Sequence, residues 1–231
     1  MLPVFLIIAG IAFFGAAIVY GKHKVRKRRE ALQTFAVQQR LSYSPGADYD
    51  LANSLHFLDP LSRGANRHMR HVMRGSYDDQ TVILGEHSYE TGSGLGPSGH
   101  GGSSRQNYFH SLAIVELPCN CPQLTITRKG LFSRLAQAIT RTAIQFEDRE
   151  FSKHFIVVST DRSFARAVIS PAVMEIFLQN RRLFGQLNIQ HKIMAFIRKG
   201  ELNPALLPRQ LNLLITIRAT VPDHLLLGAA R

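Results

Sequence analysis

A handful of short stretches carry residue types that could do chemistry. GLGPSG, Gly94 to Gly99, has the G-x-G-x-x-G spacing of a dinucleotide-binding loop. Such a loop works where a strand ends at the first glycine and a helix opens at the third, so that helix N–H groups meet the pyrophosphate. Here Pro97 intrudes where the helix should begin, and HGGSSRQ leads straight into the next strand-like run. With six Gly and four Ser, residues 91–104 read as a flexible connection between two antiparallel strands. Ser98 and His100 share this loop, but position 100 is His where the G-x-S-x-G elbow requires Gly, so they form no preorganised nucleophile and base.

Cys119 and Cys121 could be combined with His68 and His71 as a zinc set. Structural zinc pairs are spaced C-x2–4-C, and C-x-C is too tight for that pattern. Flanked by Pro118 and Pro122, the two cysteines read as part of a turn, PCNCP. FEDRE, Phe146 to Glu150, clusters three carboxylates around Arg149 and reads as a solvated acidic turn. RGANRHMRHVMR, Arg63 to Arg74, holds four Arg and two His and could meet phosphate. No aromatic residue interleaves with them, so a stacking platform for nucleic acid is missing. No catalytic, cofactor or metal set emerges, and no cofactor is expected.

The elements around these stretches are clearer. Leu2 to Tyr20 contains no charged residue and no Ser, Thr, Asn or Gln. At 1.5 Å per residue, about 19 residues cross roughly 30 Å of hydrocarbon. With no basic residue ahead of it and a length beyond that of a signal sequence, it is expected to be a retained transmembrane helix over residues 1–21. Ala9, Gly10, Ala12, Gly15 and Ala16 give it small residues that would let another helix approach. Six of the next eight residues are basic: Lys22, Lys24, Arg26, Lys27, Arg28 and Arg29. By the positive-inside rule this flank stays in the cytoplasm, the N-terminus faces out, and the six residues are expected to meet anionic lipid headgroups. A net charge of +12 agrees with an anionic neighbour without naming it.

The helical spacing of Val25, Leu32, Phe35 and Ala36 predicts that the helix continues to about Arg40. Residues 22–67 are read as this basic helix and a linker, and residues 68–231 as the cytoplasmic domain. Period-two patterns predict strands at MRHVMRGSY and QTVILGEHSY, joined at Asp78 and Asp79. Further strands are expected at NYFHSLAIVEL and, after the PCNCP turn, QLTITRK. FIVVST is another, and LFGQLNIQ with KIMAFIRKG reads as a hairpin turning at Gln190 and His191. Helices are expected at Leu131–Thr142, after the cap Asp161, after the cap Ser170 with Pro171 at the first helical position, and from about Asn203. Short turns between strands point to an α+β domain with mainly antiparallel sheet and a C-terminal helix.

The segment Phe155 to Leu178 resembles the C-terminal region of an uncharacterised bacterial family of membrane-anchored proteins, a domain of unknown function. The matching residues are Asp161, Ala165, Arg166, Ser170, Pro171, Ala172, Met174 and Glu175. The resemblance implies a bacterial inner-membrane protein and carries no activity. The sequence therefore points to a single-pass membrane protein whose cytoplasmic domain is an interaction or accessory subunit, with other membrane protein subunits as partners. The alternatives are a membrane-tethered enzyme with loop 91–104 as its lid, and an adaptor for anionic lipid or nucleic acid. Nucleic acid is the less favoured partner.

Overall fold

The computed structural model describes residues 2–92, 105–130 and 143–226, with side chains from Tyr20 to Leu225 apart from His224. Residues 93–104 of the expected loop 91–104, and the expected helix at 131–142, lie outside the described residues. Helix α1 runs from Leu2 to Gln38 without a break and is followed by strand β1 (Ser42–Ser44) and helix α2 (Tyr49–Ser54). A single 3-10 turn at Asp59–Leu61 leads into the hairpin of β2 (Ala65–Tyr77) and β3 (Gln80–Thr91). Asp78 and Asp79 both have positive φ, 49° and 56°, as a two-residue hairpin turn of matching twist requires.

Strand β4 (Gln106–Arg128) comes next, then α3 (Arg149–His154), β5 (Phe155–Ser159), α4 (Arg162–Val168), α5 (Pro171–Gln179), β6 (Gln186–Lys199), α6 (Leu207–Thr220) and α7 (Asp223–Leu226). Local chemistry starts several helices as the sequence predicts. The Asp161 carboxylate accepts from the Ser163 and Phe164 amides, and Ser170 Oγ from the Val173 amide ahead of α5. Asp148 caps α3, a helix that the reading of FEDRE as a solvated turn missed.

The six strands form one antiparallel sheet in the order β1-β2-β3-β4-β5, with β6 on β4. Two sequence expectations are corrected by the β4–β6 pairing. PCNCP is not a turn between two strands, and Gln190–His191 is not the turn of a hairpin. Each lies inside one long strand, and they face each other, with Cys121 opposite His191 and register shifts on both sides. His191 has φ 53°, the mark of an inserted residue. Because side chains alternate faces, one extra residue reverses the alternation. In β6, Leu187 and Ile189 lie in the larger core, and beyond His191 so do Met194 and Phe196. In β4 the larger core takes Ala113, Val115 and Leu117, then Leu124 and Ile126. A period-two scan sees both inversions as breaks. His71, φ 52°, marks a similar shift in β2.

The sheet is covered on both faces. On one, the end of α1 and the helices from α3 onward enclose the larger core, with a chain of rings from Phe151 through Phe177 and Phe184 to Phe196 at centroid distances of 6.0, 4.4 and 5.3 Å. On the other, Ala52, Leu55, Leu58 and Leu61 pack on Leu112, Ile114, Ala195 and Ile197. Part of the stretch read as a linker is thus the cover of the second core.

Candidate functional site

The position with the most concentrated long-range chemistry is the root of α1. Leu32 and Ala36 are fully buried and Phe35 nearly so. One turn earlier on that stripe, at the i, i+4, i+7 spacing that defines one helix face, stands Arg28. Its guanidinium donates to Glu86 Oε2 and, through Nε, to the Leu202 carbonyl at 3.0 Å. The Leu202 amide closes the set by donating to the same Glu86 oxygen at 2.8 Å, and Glu201 lies 3.5 Å from the Arg28 guanidinium. Glu86 is 1% exposed. One buried carboxylate therefore ties the helix, the sheet and the segment after β6 together.

This placement revises part of the juxtamembrane reading. Lys22, Lys24, Arg26, Lys27 and Arg29 are exposed, as headgroup contact needs, but Arg28 is turned inward onto Glu86 and is not free for lipid. Val25, assigned to the buried stripe by its spacing, is 67% exposed. The domain covers the helix only from Arg28 onward.

Beside this root, Tyr43 Oη and His71 Nδ1 are hydrogen-bonded at 2.7 Å. Burial, and then the nearby charges of Arg28, Arg70 and Arg29, push the His71 imidazole down to about 4. The opposite face of β3 carries a second polar group. His87 is fully buried, and neither ring nitrogen has a hydrogen-bond partner. Its ring lies 6.3 Å from that of His110, which stacks on Tyr89 at 5.7 Å. Burial is again the main cause that lowers His87 to about 4, with His110 next. At neutral pH these are uncharged rings in a low-polarity setting.

The other stretches are not assembled into sites. Cys119 and Cys121 hold their sulfurs 4.0 Å apart, and burial pushes the Cys121 thiol up to about 12, away from the reactive thiolate. Cys121 faces His191, whereas His71 bonds Tyr43 and the half-buried His68 has its Nδ1 paired with the Asn66 carbonyl, so the imagined zinc set is dispersed. Among the described residues no group of three or more His, Cys, Asp or Glu could hold a metal. In the basic segment, Arg63 pairs with Asp59 at 2.7 Å, Arg74 with Asp48 at 2.9 Å, and Arg67 donates to the carbonyls of Ser62 and Gly64. These arginines brace a loop. In FEDRE, Asp148 caps a helix and Glu150 lies 3.6 Å from both Lys153 and His154.

Among the described residues no helix is long and apolar enough to cross a membrane. The expected span falls on the first half of α1, where side chains up to residue 19 are outside the described set.

Residues 109–208 match the profile of a family described as protein of unknown function, DUF3137. That segment contains the Phe155–Leu178 stretch and agrees with the resemblance to an uncharacterised domain family. No curated protein matches the sequence. Among solved structures, the chain is similar to the mycobacterial trehalose monomycolate transport factor A, TtfA, with a TM-score of 0.59 and 11% identity over 85% of this chain and 97% of that one. At that identity the likeness is one of fold, a mixed arrangement of helices and antiparallel sheet.

Proposed function

We propose that this chain is a single-pass protein of the bacterial inner membrane, its N-terminus outside, whose cytoplasmic α+β domain is an accessory subunit of a larger membrane assembly. Residues 1–21 form the span and residues 68–231 the body of the domain, with 22–67 joining the two. The observation that carries the reading is the continuity of α1. It leaves the apolar stretch ending at Tyr20 as a helix and is still a helix where Arg28, Leu32, Phe35 and Ala36 enter the domain. The eight residue steps from Tyr20 to Arg28 rise about 12 Å, so the domain is held close to the bilayer at a fixed angle. A tether meant only to restrict diffusion has no need of such a joint, whereas a subunit that must meet a partner in the membrane does. The exposed Lys22, Lys24, Arg26, Lys27 and Arg29 then lie at headgroup level.

The fold likeness to a transport factor favours the same kind of role, one that serves a lipid-handling assembly. The first test is extraction of native membranes in mild detergent, capture through a C-terminal tag, and native mass spectrometry of the eluate. Stoichiometric membrane subunits are the expected result. A lone monomer or homo-oligomer under conditions that preserve known complexes would overturn the accessory reading. Release of the chain by an alkaline wash of the membranes would overturn the span.

A further inference from the structure

The helix-bearing face of the sheet also holds a groove of about 910 Å³, open between the end of α5, the turn after it, the end of β6 and the first half of α6. Arg181, Arg182, Arg198 and Arg209 line it, and no Asp or Glu does. Among the described residues none of these four guanidinium groups is in an ion pair. This sets them apart from Arg28, Arg63 and Arg74, which all have carboxylate partners. Four like charges around one concavity repel one another and focus a field that an anion relieves. Arginine is suited to phosphate, because its planar fork meets two oxygens at once. The N-terminal end of α6 opens here as well, and its cap residue Leu206 offers no side-chain acceptor, so the positive end of the helix adds to the field.

The rest of the lining narrows the ligand. Ile176, Leu178, Leu183, Leu206 and Leu213 make much of the surface apolar, which a small free anion would leave uncovered. No aromatic ring lines the groove, so nucleotide bases would have nothing to stack on. The groove is also close to the root of α1. Arg198 pairs with Ser111, and Ser111 with Glu86, the carboxylate that grips Arg28. Two strand spacings separate Arg198 from Glu86, about 10 Å.

We propose that this groove binds an anionic lipid, with its phosphate among the four guanidinium groups and the start of its acyl chains along the apolar side chains. The inference rests on the membrane-held reading, which brings the groove to its ligand, and it gives the domain a lipid to recognise.

The test titrates the full-length chain, purified in a neutral detergent, with short-chain phosphatidylglycerol by calorimetry. Short-chain phosphatidylcholine, inorganic phosphate and a polyglutamate peptide are the parallel arms. Phosphatidylglycerol is expected to bind at least about tenfold more tightly than any of the three, and the pair Arg182→Glu with Arg209→Glu to weaken it by about tenfold or more. Arg182→Gln with Arg209→Gln should give a smaller loss at an unchanged melting temperature, which separates binding from misfolding. Lys192→Glu, at an exposed position outside the groove lining, should leave this binding as it was. Equal binding of phosphatidylcholine would reduce the groove to a greasy cleft and overturn the proposal. So would equal binding of phosphate alone, displacement of the lipid by polyglutamate, or full binding by the groove variants. A chain that washes off membranes yet binds phosphatidylglycerol loses the span and keeps the groove; one that stays in the membrane and binds none loses the groove alone.

Discussion

Glu86 and His87 are neighbours on β3, point to opposite faces of the sheet, and are both essentially buried. They have been treated in opposite ways. Glu86 is met by a guanidinium and a backbone amide, whereas His87 has no partner for either ring nitrogen. A carboxylate could not stay buried as an ion without such company, because desolvation of a lone charge is prohibitive. An imidazole can shed its proton and stay as a neutral ring, at the smaller cost of unmade hydrogen bonds. The face of Glu86 therefore fixes a long helix in place, and the face of His87 holds a polar ring that contributes little to cohesion.

If the helix-bearing face supplies most of the cohesion, the largest loss should come from its ring chain. Phe177→Ala, at a fully buried position between Phe155 and Phe184, is expected to lower the stability of the folded chain by about 3–5 kcal/mol. Thermal melting followed by circular dichroism measures it, and a loss under about 1 kcal/mol would mean that the ring chain is loosely packed.

Acid should act next, through the neutral histidines. Folded, His71 and His87 take up a proton only near pH 4, whereas in the unfolded chain an imidazole does so near 6.5. Between those values the unfolded chain binds more protons, so stability falls as pH drops from about 6.5 to about 4, on the order of 3 kcal/mol per buried ring. Urea midpoints taken from pH 7.5 down to 4.5 should be level at first and then decline. A flat profile would show that the rings are solvated.

Removing one partner of the ion pair tests the other side of the comparison. Arg28→Met leaves Glu86 buried without a cation and should cost about 2 kcal/mol, below the range for fully buried pairs because Arg28 is 22% exposed. Adding Glu86→Leu should recover most of that loss, since the pair positions α1 more than it stabilises the fold. A double variant no better than the single one would make the carboxylate's bond to the Leu202 amide the dominant contribution. The smallest effect is a gain. His87→Phe removes two unpartnered nitrogens at similar volume and should add about 1 kcal/mol while flattening the acid profile. Destabilisation would mean that an ordered water satisfies the ring.

Much of the fold was legible because local chemistry agreed with it. Asp161, Ser170 with Pro171, and the Asp78–Asp79 turn each announce an element through a few adjacent atoms. The long β4–β6 ribbon was not legible, because an inserted residue at His191 looks the same along the chain as a turn and only the partner strand tells them apart. Arg28 was hidden in a run of six basic residues, although its place on the stripe of Leu32 and Phe35 was a usable signal. The arginine groove was beyond reach, since Arg181, Arg198 and Arg209 come from separate elements and are unremarkable one at a time.

The bond from Arg28 to the Leu202 carbonyl spans 174 positions. A ribosome delivers the two ends of that bond at different times, the helix near the start of translation and its latch near the end. At about 5–20 residues per second, the root of α1 waits on the order of ten seconds or more before anything can lock it. During that interval nothing holds the helix at a fixed angle to the strands it will join. Only when Leu202 emerges and the sheet is complete does the chain set the angle between helix and domain, so rigidity at this joint comes last.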